Sequence, residues 1–166
     1  AVDSVRGATK ELNLNSTNVE STDSNGVDDL GVTDGFGLGS GAGGYNDNAE
    51  DFVSYNWKAN GSGSSNTEGS INTTATSANT TAGFSIITYN GNGTAGATIG
   101  HALDEAPDLV IVKNRNQADG WPFIHRDLTT YADANLRFEN SAASGTGDNV
   151  FNDTAPSSTL ITLGSD

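Results

Sequence analysis

Short apolar runs, set apart by glycine- and asparagine-rich punctuation, limit this chain's fold more than any other feature of its sequence. They occur at residues 84–89, 97–101, 109–113, 121–126 and 160–163, with Leu136 and Phe138 marking one more. Residues 52–58 alternate with a period of two, placing Val53, Tyr55 and Trp57 on one face and Phe52, Ser54, Asn56 and Lys58 on the other. Weaker alternation marks Leu12 with Leu14 and Phe36 with Leu38. No window of helical length repeats its apolar residues every 3.6 positions. Many short strands with turn signals between them predict an all-β chain, an antiparallel β-sandwich of jelly-roll or lectin-like type with long Gly/Ser/Asn/Thr loops. Within it, the continuous apolar run at 109–113 reads as a buried central strand, and Trp57 reads as inward-facing. Residues 21–34 read as loop. Residues 59–82 read as a polar linker or surface loop.

The hydrophobic fraction is 34%, low enough that disorder is the competing reading. The spacing of the apolar runs argues against it. Charge narrows the partners: 21 acids against 7 Lys and Arg leave a net charge of −14. Such a chain lacks the cations that replace phosphate counterions, so nucleic acid and anionic membranes are disfavoured. The same charge suits a particle surface that must stay soluble. There is no cysteine, hence no disulfide framework or thiol nucleophile. No apolar run approaches the roughly 18 residues of a membrane span, so membrane insertion is not expected. With no methionine and Ala1 first, the chain reads as a processed or partial piece.

Self-similarity suggests how the piece is organised. LNLNS at 12–16, a polar stretch and DGFGLGS at 34–40 match LRFENS at 136–141, a polar stretch and LITLGS at 160–165. The matched pairs are Leu12/Leu136, Leu14/Phe138, Phe36/Ile161 and Leu38/Leu163. Residues 1–58 then read as the C-terminal half of one repeat unit, and 83–166 as the start and middle of the next. The second unit would lack its equivalent of 52–57, leaving a strand to be supplied from the same chain or a neighbour.

The strings GFSIITYNGNGTAGATIGH at 83–101, APDLVIVKNR at 106–115 and WPFIHR at 121–126 resemble a repeat module of tail-fibre-like virion structural proteins from marine bacteriophages. VRGATK at 5–10 and FVSYNWK at 52–58 resemble the end half of such modules. The resemblance covers most of the chain, 21–33 and 59–82 least. In that family the module often accompanies a concanavalin-like lectin domain. It implies a virion surface or tail appendage, and it brings no catalytic residue.

The residues themselves supply no enzyme. GSGAGG at 39–44 matches a dinucleotide-binding string, but no helix pattern follows it, so it reads as a turn. The two histidines, His101 and His125, have no nucleophile elbow to serve. The acidic clusters at Asp28/Asp29/Asp34, Asp47/Glu50/Asp51 and Asp104/Glu105 do not follow the spacing of a calcium-binding loop, though an Asp-rich loop offers oxygens to calcium. No catalytic, cofactor-binding or metal-ligating residue is assigned. Trp121, His125, Arg126 and Tyr131 are the candidates for a ligand-contacting rim. The reading is a non-enzymatic structural module of a phage virion appendage, forming homo-oligomers and meeting neighbouring virion proteins. Its alternatives are a carbohydrate- or receptor-binding adhesin that meets host surface glycans, and a bacterial surface filament or layer protein.

Overall fold

The computed structural model describes residues 1–41, 44–128, 136–139 and 150–165. Among them are eleven short strands and no helix. β1 (Lys10–Glu11) pairs with β2 (Ser21–Thr22), and β3 (Val27–Asp29) pairs with β4 (Gly37–Leu38). β5 (Ala75–Asn79) and β6 (Phe84–Thr88) form a hairpin. β7 (Thr98–Gly100) pairs with β11 (Leu160–Thr162). β8 (Leu109–Ile111), β9 (Pro122–His125) and β10 (Leu136–Arg137) form a three-stranded sheet with β9 in the centre. Every pairing is antiparallel. The fold is all-β, as the patterning predicts, and β6 to β11 fall on the apolar runs.

Alternation explains what these strands bury. Ile99 of β7 and Ile161 of β11 are opposite each other and only 3% and 5% exposed. Val110 of β8 and Ile124 of β9 are likewise opposite and buried. These four share one hydrophobic cluster with Phe151 and Leu163, so the two sheets turn their inner faces to a single core. Ile124 and Phe151 are fully enclosed there.

Four expectations are corrected. Residues 59–82 are not simply linker or surface loop: the tract carries Ile71 into the core and forms β5. Thr73, Thr76 and Ser77 are buried because their hydroxyls find hydrogen-bond partners. The Thr73 and Thr76 hydroxyls lie 2.8 Å apart, and the Ser77 hydroxyl accepts the Asn60 N–H at 2.8 Å. Gly63 stands against this strand with φ +75°, where a Cβ would lie 2.5 Å from the Thr76 carbonyl oxygen. The predicted loop at 21–34 holds β2 and β3, short strands whose Asp and Ser residues hide them from an apolar pattern. The predicted strand at 52–58 pairs with no described residue, and Trp57 points outward at 68% exposure. The run at 109–113 is an edge strand rather than a central one, and Leu109 and Ile111 are exposed. Leu12 follows β1 and is buried, whereas Leu14 is exposed.

Candidate functional site

Trp121, expected at a ligand rim, is instead a clasp. It is 6% exposed, and its indole N–H donates to the carbonyls of Asn13 (3.0 Å) and Ser16 (3.2 Å). Its backbone N–H donates to the Glu139 carboxylate at 2.9 Å. A buried indole needs such an acceptor, and the N-terminal segment supplies it. His125 is half-buried on the outer face of β9, its Nδ1 accepting the Asp127 N–H at 3.2 Å. Arg126 reaches Asp108 at 2.6 Å, with both side chains more than half exposed, so this is a surface pair of small energetic weight. Tyr131 lies outside the described residues. Trp121 therefore faces inward while His125 and Arg126 face out, and these three do not converge on a ligand.

His101 is also structural. It is 1% exposed; its Nε2 meets the Ser157 carbonyl at 3.1 Å and its Nδ1 accepts the Leu103 N–H at 3.1 Å. Both ring nitrogens are thus used by the neutral form, with Nε2 donating. Burial pushes its pKa below the usual histidine range, against a smaller upward pull from the Ser157 carbonyl.

A second clasp joins the N-terminal segment to the loop after β8. Arg115 grips the Glu20 carboxylate through two bonds of 2.8 Å, and Arg6 adds a third at 3.1 Å. The Glu20 N–H also donates to the Arg115 carbonyl at 3.0 Å. Hydrogen bonding from Arg115 holds the Glu20 carboxyl below its ordinary pKa. Near β1, the Tyr45 hydroxyl donates to the Glu11 carboxylate, which pushes the phenol up to about 12.

Among the described residues no group of three or more acidic or histidine side chains converges as a metal site. No helix among them is long and apolar enough to cross a membrane. GSGAGG at 39–44 lies partly outside the described residues.

The outer face of the three-stranded sheet is where accessible chemistry collects. Register places Leu109 opposite His125, Ile111 opposite Phe123, and Phe123 opposite Leu136, all on one side. Phe138 stacks on Phe123 with ring centroids 4.4 Å apart. Leu109, Ile111 and Phe138 are 46%, 42% and 42% exposed. An antiparallel sheet with one wet face ordinarily alternates apolar and polar residues. This one is apolar on both faces. A second apolar feature is the unpaired segment 52–57, where Val53 and Tyr55 are 77% and 76% exposed. Its signal in the sequence was its period-2 pattern; the signal of β8 was its unbroken apolar run.

These features define an all-β, antiparallel domain whose accessible chemistry is apolar strand and sheet surface. A family model described as a domain of unknown function, DUF7483, matches residues 1–166, and the chain belongs to that family. No curated protein and no solved structure matches it.

Proposed function

We propose that this chain is a non-enzymatic structural module that works by assembly with other copies of itself, as part of a virion appendage such as a tail fibre. One observation carries the assembly reading: the β8–β9–β10 sheet is apolar on its outer face as well as its inner one. Exposed contiguous apolar surface of this kind marks interaction sites. An unbroken apolar strand such as β8 is the pattern of a strand covered on both sides. The placement on a virion rests on the resemblance of residues 83–101, 106–115 and 121–126 to tail-fibre modules. The net charge of −14 supports it, by keeping such a particle from sticking indiscriminately.

The test is substitution on the outer face. Leu109→Lys with Phe138→Ser removes apolar surface without touching the core. Loss of self-association in a chain that still unfolds cooperatively, with about 1 kcal/mol of stability lost from the Phe138–Phe123 stack, is the expected result; unchanged self-association excludes this face.

The exposed Tyr55 and Trp57 rings favour a second reading, an adhesin that stacks sugars on them. A glycan array with no hits on the folded chain would dispose of it.

A further inference from the structure

The segment 51–58 and the edge of β8 have complementary needs. Alternate residues of an antiparallel strand turn their amides to opposite sides. The Val112 N–H donates to the Pro122 carbonyl and the Arg126 N–H to the Asp108 carbonyl, each at 2.9 Å, so residues 108, 110 and 112 serve β9. Leu109 and Ile111 therefore point their N–H and C=O groups away from the sheet, and among the described residues nothing meets them. Such an edge is a template for another strand.

Residues 52–57 have the opposite character. They alternate like a strand, yet their backbone makes no hydrogen bond to any described residue. The segment is held only at its far end. There the Lys58 carbonyl accepts from Asn79 at 3.1 Å, and Trp57 stacks over Phe84 with centroids 6.1 Å apart.

Resting on the assembly reading, the geometry points to strand donation between copies: residues 51–58 of one chain add antiparallel to the open edge of β8 in a second copy. Charge and face choose the direction and register. In the antiparallel arrangement Val53 stands opposite Ile111 and Tyr55 opposite Leu109, which continues the exposed apolar face across the junction. Asp51 then lies beside Lys113, whose Nζ bonds only the Asn114 and Gln117 carbonyls and no carboxylate among the described residues. Lys58 lies towards Asp104 and Glu105. A parallel arrangement reverses this, bringing Asp51 to those acids and Lys58 to Lys113. It is disfavoured by like charge. The outward amides of Leu109 and Ile111 meet those of Tyr55 and Val53, as hydrogen-bonded pairs require. Each chain carries one donor and one acceptor, so copies join head to tail and the series stays open unless its rotation closes a ring.

The native chain has no cysteine, which makes a cross-linking test clean. Val53→Cys chains mixed with Ile111→Cys chains under mild oxidation should give a disulfide-linked heterodimer. Val53→Cys mixed with Leu109→Cys, two residues out of register on the same exposed face, should give far less. Tyr55→Pro removes the N–H meant for the Leu109 carbonyl and should weaken self-association about tenfold or more. At concentrations where both chains are monomeric its melting temperature should not change, since that N–H has no partner among the described residues. No cross-link, with Tyr55→Pro associating like the native chain, overturns strand donation but leaves assembly through another contact. A native chain that stays monomeric at every concentration overturns both.

Discussion

Trp121→Phe should loosen the N-terminal segment while leaving the core standing. The substitution keeps an aromatic ring in place but removes the indole N–H that satisfies the Asn13 and Ser16 carbonyls. Loss of that shared bond in a site 6% exposed costs about 1–2 kcal/mol. Trimming the five-membered ring forfeits roughly 50 Å² of buried apolar area, or about 1.3 kcal/mol, before any cavity term. The sum, about 3 kcal/mol, corresponds to a fall of about 6–12 °C in melting temperature for a domain of this size. The diagnostic assay is native-state hydrogen exchange read residue by residue. Amides of 12–23, including those of Leu12 and Glu20, should lose protection first, while those of β7 and β9 keep theirs. Unchanged protection there, with a melting temperature within about 1 °C of the native chain, would refute the clasp.

Two further predictions concern titration. His101 is held neutral with a lowered pKa, so the unfolded chain binds a proton more readily than the folded one. Its contribution to stability is full above its ordinary value of 6.5 and is lost as pH falls through and below it. Denaturant midpoints measured between about pH 5 and 8 should therefore fall on acidification, and His101→Gln should flatten that slope. Tyr45 is shifted the other way, from 10.0 to about 12. Its stabilisation holds below pH 10 and disappears as pH rises towards 12. In a tyrosinate absorbance titration Tyr45 and the partly buried Tyr89 should ionise late, and Glu11→Gln should bring Tyr45 alone back towards the ordinary range.

The strands most legible in the sequence were those whose side chains do the burying. β6, β7, β9 and β11 are aromatic and β-branched, and periodicity finds such strands directly. β5 escaped because Ala, Thr, Ser, Ala and Asn carry no apolar period. It is buried through hydroxyl and backbone partners that lie far away in the sequence, among them Asn60. The segment 52–58 shows the converse. Its period-2 pattern is genuine, but a strand requires a neighbour as well as a pattern, and the described residues supply none. The proposed rim failed at Trp121 for a related reason. An indole between Gly120 and Pro122 looks like a surface platform until the Asn13 and Ser16 carbonyls are seen to receive it. β8 was half legible: its apolar run announced burial on both faces, and the described residues bury only its Val110 side.

Assembly through exposed apolar strands is the central claim, and sedimentation velocity across a wide range of protein concentration tests it most directly. Species of increasing size should appear as concentration rises. That growth should persist in high salt, because the contact is mainly apolar and backbone in character. A single monomeric boundary at every concentration, with Leu109, Ile111, Phe138, Val53 and Tyr55 all accessible, would contradict it.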